Sequence, residues 1–393
     1  MKRIEQSFSI TFNYDVVFTK NLFSPENEIF ASSLLEINPE YPSKLFFVID
    51  SGITKENPAY VNEIETYINL NPTSFSLISA PMIVQGGEEV KHDMEAVLKL
   101  LNHINEFRID RHAYIIAIGG GAVLDMVGFV AAIAHRGIRH IRIPSTVLSQ
   151  NDSGLGVKNG INYFRKKNFV GSFAPPELVF NDSNLLKTLD ARDWRSGISE
   201  AIKVALIKDS SFFEWLEKNA QKLNDRDLPT MEELIYQCSS LHLDHIATSG
   251  DPFEKGASRP LDFGHWSAHK LEQMTDYKIR HGEAVAWGIA LDTTYSYLKG
   301  MLSFEDMDRV IRLIENLNLN FFDPQHEYLG LNNFNSQLLV GLEEFREHLG
   351  GQLTIMLLNR IGTGVEVYDM DHEIIVEAIN LLTERRTSHA DQA

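Results

Sequence analysis

The chain has 393 residues, 44% of them hydrophobic, and carries a formal net charge of -18, which suggests two domains with ample core and argues against nucleic acid or anionic membranes as partners. Its single cysteine, Cys238, excludes an intrachain disulfide and a cysteine-based zinc site. The start, MKRIEQSFSITFNYDV, lacks the apolar stretch of a signal peptide and no run approaches the ~18 apolar residues of a membrane span, so a reducing cytoplasm is the expected compartment.

Residues 8–18 (FSITFNYDVVF) alternate as a half-buried strand does. Residues 44–50 (KLFFVID) form a short apolar run ending in an acid, and 75–83 (FSLISAPMI) hold a further strand. A helical stretch covers 88–107. Residues 113–118 (AYIIAI) are apolar on both sides, as in a buried parallel strand, and HIRI at 140–143 begins another. Strands alternating with helices predict βαβ units and a parallel sheet. From about Asp190 helical spacing takes over, at 191–208, 231–245, 266–274, 283–298, 305–317 and 371–382. The polar end, TERRTSHADQA, is expected to fray. The pattern predicts an α/β N-terminal domain over residues 1–187 and a helical C-terminal domain over 188–393, without internal repeats.

The run AYIIAI leads into Gly119-Gly120-Gly121, behind which a helix opens. Glycines allow close backbone approach to a ligand, and a helix N-terminus offers free N–H groups to phosphate. Asp50, ending an earlier strand, is placed to accept from ribose hydroxyls. A tight strand–helix turn needs the same glycines for packing alone, and the triplet is not the GxGxxG fingerprint.

His265 and His269 in DFGHWSAHKLE share a helical face, as do Glu200 and Lys203 in SGISEAIKVALIKD. His281 follows in RHGEAVAWGIALD. Two histidines and a carboxylate suit a catalytic divalent metal with open positions. Spacing alone favours the plainer readings, surface or satisfied core histidines and a helix-surface ion pair.

Ordered blocks from about residue 50 to 364 decide between these. They are GGEEVK (86–91), GGGAVLDMVGF (119–129), HRG (135–137), IPST (143–146), DSGLGVKNGIN (152–162), KKN (166–168), SEAIK (199–203), LDFGHWSAH (261–269) and HGEAVA (281–286). In these blocks the chain resembles the sugar phosphate cyclases, the superfamily that includes 3-dehydroquinate synthase. The resemblance implies a Rossmann-like domain and an all-α metal-binding domain. It implies zinc, or cobalt, on Glu200, His265 and His281. It implies NAD among Asp50, Glu88, Lys91, Gly120, Gly121, Asp125, Thr146, Lys167, Thr188 and Leu189. Lys158, Asn168, Lys203 and His269 would line the pocket for a sugar phosphate, with Asp152 beside them. Arg136 would reach into the neighbouring subunit's site in a homodimer. The implied reaction oxidises an alcohol with NAD, eliminates phosphate, re-reduces the ketone and closes a carbocycle by intramolecular aldol attack.

The chain departs from dehydroquinate synthases where those enzymes hold a substrate carboxylate. Asp244 stands at the lysine position and Ser258 at the arginine position, with Arg259 next to it. Asp262 replaces an asparagine before the first metal histidine and Trp266 a threonine after it. Near the C-terminus FREHLGG replaces a lysine-bearing segment, leaving Arg346 or His348 as substitutes. An aspartate repels a carboxylate. The expected substrate is therefore a neutral-headed ketose phosphate, sedoheptulose 7-phosphate, closed to a valiolone-type cyclitol. Retention of His269 and the block DFGHWSAHKLE point to the 2-epi-valiolone synthase and EboD-type branch. The competing readings are a 3-dehydroquinate synthase whose carboxylate site is rebuilt around Arg259, a metal-dependent polyol or glycerol-phosphate dehydrogenase, and a non-catalytic cyclase homologue. Lys158, Lys167-Asn168 and Glu200-xx-Lys203 favour elimination chemistry over a dehydrogenase.

Overall fold

Long β-branched runs with no polar face must be covered on both sides, and they become the centre of a sheet. The structure, a computed structural model, describes residues 2–39, 42–92, 94–164, 166–256, 258–319 and 334–390. Two compact units emerge, residues 1–145 with 156–184, and residues 146–155 with 185–393.

In chain order the first unit holds β1 (Asp15–Thr19), α1 (Ile29–Ile37), β2 (Ser43–Asp50), α2 (Ser51–Glu56), α3 (Tyr60–Leu70), β3 (Phe75–Leu77), β4 (Met82–Val84), α4 (Met94–Glu106), β5 (Tyr114–Gly119), α5 (Gly121–Ile133), β6 (Arg139–Pro144), β7 (Lys158–Tyr163), β8 (Lys166–Phe173) and β9 (Leu178–Asp182). Its seven-stranded sheet runs β1-β9-β6-β5-β2-β3, with β4 also on β2. All these pairings are parallel, with Phe47 beside Ile116 and Ile116 beside Ile141. Helices α4 and α5 pack Val97, Leu100, Val123 and Val127 onto Phe46, Val48 and Ile115.

The strand expected over residues 8–18 forms only from Asp15, where pairing with β9 begins. Upstream, Phe8 and Ile10 are 86% and 66% exposed, so the alternation has no core to face. The strand at 75–83 is split by Pro81, which cannot donate to a ladder. The stretch at 88–107 divides into a 3-10 turn at Glu88–His92 and α4.

The antiparallel hairpin β7–β8 escapes the periodicity rules because its sequence is rich in Lys, Asn and Gly. Buried Arg142 on β6 anchors it, donating to Gly156 O at 2.7 Å, Lys158 O at 2.9 Å and Asn159 Oδ1 at 2.7 Å.

The second unit holds α6 (Ala191–Ser196), α7 (Ile198–Lys208), α8 (Ser210–Asn224), α9 (Leu228–Thr248), α10 (His265–Met274), α11 (His281–Leu298), α12 (Phe304–Asn316), α13 (Phe334–His348), β10 (Ile355–Arg360), β11 (Thr363–Val367) and α14 (His372–Ala390). The helical class is as expected, with the hairpin β10–β11 added to it. The turn at residues 146–155, which the expected boundary leaves in the first domain, clusters with these helices. Helix α14 continues through most of the polar end expected to fray.

Helix α11 is the axis of this unit. Every residue from Gly282 to Ser296 is buried, the mark of a helix packed on all sides. Side-chain caps open other helices of the unit: Asp209 accepts from Ser211 N and Phe212 N, Asp227 from Thr230 N, and Ser303 from Asp306 N. No described helix is long and apolar enough to cross a membrane.

Candidate active site

Helix α7 buries both Glu200 and Lys203 on one face. Glu200 Oε1 stands 3.7 Å from His265 Nε2 and 3.4 Å from His281 Nε2. The ligand atoms of the three residues lie within 4.8 Å of one another. Metal–nitrogen and metal–oxygen bonds of ~2.0–2.2 Å place neighbouring donors on a tetrahedral ion roughly 3–3.5 Å apart, so the spacing fits a divalent cation.

The orientation fits as well. His265 Nδ1 lies 3.1 Å from Phe263 O, and His281 Nδ1 lies 3.1 Å from Glu272 Oε2. Both rings therefore engage their Nδ1 edge and turn Nε2 toward Glu200. Burial would raise the Glu200 carboxyl, but Lys203 and the nearby rings of His281 and His265 hold it well below its usual range. Burial and Lys203 push His265 down, which favours the neutral ring that ligates metal.

Local sequence explains why these side chains meet. Gly264, just before His265, has φ 78°, and a Cβ there would come within 2.7 Å of Ile289 N. Only glycine satisfies both demands. Asp292 on α11 holds this turn from behind, accepting from Gly264 N at 3.0 Å and Trp266 Nε1 at 2.9 Å. Burial outweighs those two bonds and pushes the Asp292 carboxyl up to about 7. At the start of α11, Glu283 accepts from Arg280 N at 3.0 Å and takes both arms of Arg192, at 2.5 and 2.6 Å. That fork sets the first turn, on which His281 stands.

Lys203 Nζ lies 2.5 Å from Glu200 Oε2 and 2.8 Å from Asp152 Oδ2. Burial lowers it, but Asp152 and Glu200 together lift its pKa far above the ordinary range, so it stays charged. Asp152 comes from a turn held to α7 and α9, where Asn151 Nδ2 donates to Gly197 O at 2.9 Å and Ser239 Oγ to Gln150 O at 3.1 Å. Within that turn Thr146 N donates to Ser149 Oγ at 3.0 Å. His242 Nδ1 stands 3.7 Å from Asp152 Oδ1, and Cys238 is buried with its thiol pushed up by burial. The rings of His265, His269 and His281 form a triangle, with centroids 5.4, 5.4 and 5.9 Å apart. The Glu200 and Asp262 carboxylates offset only part of the lowering of His265.

In the first unit, the Gly119–Gly121 turn carries β5 into α5. None of its three glycines has a positive φ, so closeness rather than handedness requires them. A Cβ on Gly119 would meet Val123 at 2.9 Å, and one on Gly86 would meet Asp50 Oδ1 at 2.2 Å. Asp50 accepts from Gly52 N at 2.8 Å and from the Gly120 amide; burial raises its carboxyl against these two bonds. A helix N-terminus lined by bare backbone, with an acid at the end of the adjacent strand, suits a dinucleotide.

Beside this turn, buried Lys91 donates to Asp125 Oδ2 at 2.8 Å and also bonds Asn168 Oδ1. Asn162 donates to Glu88 Oε1 at 2.8 Å and accepts from Asn168 N at 2.8 Å. Glu88, Lys91, Asp125 and Asn168 are thus one network. Lys158 is exposed at the start of β7 and Lys167 half-buried on β8. Arg136 is exposed in a turn whose residues His135, Arg136 and Gly137 all have positive φ, at 51°, 64° and 120°. Thr188 Oγ1 donates to Leu185 O at 2.6 Å and Leu189 packs on the helical core, both within the second unit.

This chemistry has relatives. The 3-dehydroquinate synthase N-terminal family matches residues 81–196 and the 3-dehydroquinate synthase C-terminal family matches residues 197–334. The chain belongs to the 3-dehydroquinate synthase family. A 3-dehydroquinate synthase of Vibrio atlanticus (strain LGP32) is 32% identical over 341 residues, covering 85% of this chain and 88% of that protein. ValA, a 2-epi-5-epi-valiolone synthase from Streptomyces hygroscopicus subsp. jinggangensis 5008 solved with NAD+ and Zn2+ bound, superposes with a TM-score of 0.84 at 26% identity, covering 97% of this chain and 100% of that one. A 2-deoxy-scyllo-inosose synthase complexed with carbaglucose-6-phosphate, NAD+ and Co2+ shares the fold, with a TM-score of 0.75 at 22% identity over 93% of this chain and 96% of that one. The α/β and helical units are thus the dehydroquinate synthase-like fold of the sugar phosphate cyclases.

Within this family member, the spacing rules miss Glu272, His242, Asp292 and the Arg192–Glu283 fork. Glu272 carries a readable signal, since it lies three residues beyond His269 on the same helix. His242 lies four beyond Cys238. The Arg192–Glu283 contact spans 91 residues and has no local signature.

Proposed function

We propose that the chain is a sugar phosphate cyclase that closes sedoheptulose 7-phosphate to a valiolone-type cyclitol by oxidation, phosphate elimination, re-reduction and intramolecular aldol closure. The observation that carries this is the convergence of Glu200, His265 and His281 beside the pair of buried Lys203 with Asp152, and beside His269. When bound, Zn2+ or Co2+ would supply a Lewis acid on Glu200, His265 and His281, and NAD on the Gly119–Gly121 turn a reversible hydride acceptor.

The chain's own residues do the rest. Lys203, permanently charged, neutralises developing negative charge and orients substrate oxygens rather than acting as a base. Asp152 holds the lysine in place. His269, half-buried beside two ligand rings, is suited to move a proton near neutral pH. Lys158 and Asn168 hold the leaving phosphate. Asp50, Glu88, Lys91, Gly120, Gly121, Asp125, Thr146, Lys167, Thr188 and Leu189 are assigned to the dinucleotide. Arg136, exposed on a turn, is assigned to the site of a second copy in a homodimer.

Substrate choice rests on the positions where the resemblance implies carboxylate-binding cations. Asp244 is exposed and acidic. Ser258 Oγ is tied to Glu366, and Arg259 Nη1 lies 3.5 Å from Glu254. A substrate carboxylate would face three acids here. The same positions would accept sugar hydroxyls as hydrogen-bond donors. Arg346 pairs with Glu343 at 3.1 Å, so its charge is already engaged; the side chain of His348 lies outside the described residues.

The second reading, 3-dehydroquinate synthase, is favoured by the names of the similar curated relatives. One experiment separates the two. Purified chain is given Zn2+ or Co2+, catalytic NAD and either sedoheptulose 7-phosphate or the carboxylate-bearing precursor of 3-dehydroquinate. The expected result is phosphate release and a carbocyclic ketone from sedoheptulose 7-phosphate without net NADH. Turnover of the carboxylate precursor alone would establish the second reading. NADH in step with substrate would indicate a dehydrogenase.

A further inference from the structure

Glu272 is a carboxylate with only 3% exposure, on the same helical face as His265 and His269. Its Oε2 stands 3.1 Å from His281 Nδ1, while Nε2 of that ring faces Glu200 Oε1 at 3.4 Å. A neutral imidazole has one proton to place, and a carboxylate at Nδ1 keeps it there, which puts the lone pair on Nε2. The Glu272 backbone is itself fixed, since its carbonyl accepts from Tyr277 N at 2.8 Å and Thr275 Oγ1 at 3.3 Å.

We propose that Glu272 is a positioning residue that holds His281 in the Nδ1–H tautomer with its Nε2 lone pair aimed at the metal position. The inference rests on the metal-dependent reading above. The two histidines are oriented by different devices. His265 uses the neutral carbonyl of Phe263 at 3.1 Å, whereas His281 uses a charged carboxylate, which also makes the ring a stronger donor. His281 is the more exposed of the two rings and gains more from an anchor. The donor atoms of His269, Glu272 and His281 also lie within 4.8 Å of one another, so a second ion on that cluster is the competing outcome.

The test is a competition titration of the full-length chain with Zn2+ or Co2+ against a chelating dye, paired with 15N NMR of the histidine rings in the metal-free and Zn2+-loaded chain. The wild type is expected to bind one equivalent and to show His281 protonated at Nδ1 in both forms. Glu272→Gln keeps an acceptor at the ring but drops the charge; about tenfold weaker binding and an unchanged tautomer are expected, with the metal-free melting temperature near wild type. Glu272→Ala is expected to approach a hundredfold loss and to give mixed tautomers. Wild-type affinity and an unmixed tautomer in Glu272→Ala would overturn the proposal. So would two equivalents in the wild type, one of them lost in Glu272→Gln, which would assign Glu272 as a ligand. A wild type that binds no metal but keeps the Nδ1–H tautomer would instead defeat the metal-dependent function while leaving the Glu272 contact in place.

Discussion

Gly282 lies so close to Ser196 that a Cβ on it would stand 1.9 Å from the Ser196 carbonyl oxygen and 2.5 Å from its hydroxyl. Any side chain here must push the first turn of α11 off the end of α6. Because His281 is the preceding residue, Gly282→Ala is expected to harm metal binding as well as stability. Overpacking of this kind costs about 1–3 kcal/mol. Thermal denaturation should show a lower melting temperature, and dye competition a weaker metal affinity. A variant that melts lower yet binds metal as wild type would show that the contact serves packing alone.

That glycine also shows what was legible in the sequence. The blocks HGEAVA and LDFGHWSAH place the candidate ligand histidines next to glycines, and a Cβ on either glycine would collide, Gly282 with Ser196 of α6 and Gly264 with Ile289 of α11. The central strands were legible because both their faces are apolar. The hairpin β7–β8 was not, since its stability comes from Arg142, a buried cation whose acceptors lie 14 to 17 residues away. The strand start at residue 8 was overread because alternation reports only a potential face, and the partner begins at Leu178, opposite Asp15. Glu272 is legible only through its place three residues beyond His269, since a glutamate on a helix otherwise reads as a solvated face unless its burial is known.

Asp292 makes stability depend on pH. Its folded carboxyl titrates near 7, against about 3.9 for an unfolded aspartate. Below pH 4 both states hold the proton and stability does not change with pH. Between 4 and 7 the unfolded chain releases it while the folded chain keeps it, so stability falls as pH rises, and the loss is complete above 7. Asp292→Asn removes this titration at the cost of one acceptor for Gly264 N–H or Trp266 Nε1–H. The difference in melting temperature, wild type minus variant, should therefore shrink steadily from pH 4 to 7 and then level off. A difference constant across that range would show that Asp292 is ionised in the fold.

Lys203 is the counter-charge of two carboxylates, buried Glu200 and half-buried Asp152. Lys203→Met leaves Glu200 and Asp152 facing each other without it, and breaking such a buried pair costs about 3–5 kcal/mol. Turnover should fall to background and the melting temperature should drop. Adding Glu200→Gln to Lys203→Met should recover part of the lost melting temperature without recovering activity. If the double variant is less stable than Lys203→Met alone, the Glu200 charge is satisfied by other groups.

Substrate selection should be movable at the positions that carry acids in place of cations. Asp244→Lys alone is expected to do little, because burial already disfavours charge on neighbouring Lys208 and Asp244 is what offsets it. Ser258→Arg alone would be neutralised by Glu366, the present partner of Ser258. The informative protein is therefore the triple variant Asp244→Lys/Ser258→Arg/Glu366→Gln, which supplies two cations and removes the acid that would quench one of them. A single charge-assisted hydrogen bond is worth about 1.5–3 kcal/mol, so the ratio of kcat/KM for the carboxylate-bearing precursor over sedoheptulose 7-phosphate should rise at least about tenfold. Phosphate release measured in parallel on both substrates gives that ratio directly. A wild type that already prefers the carboxylate substrate, or a triple variant with an unchanged ratio, would mean that the head group is read elsewhere in the pocket.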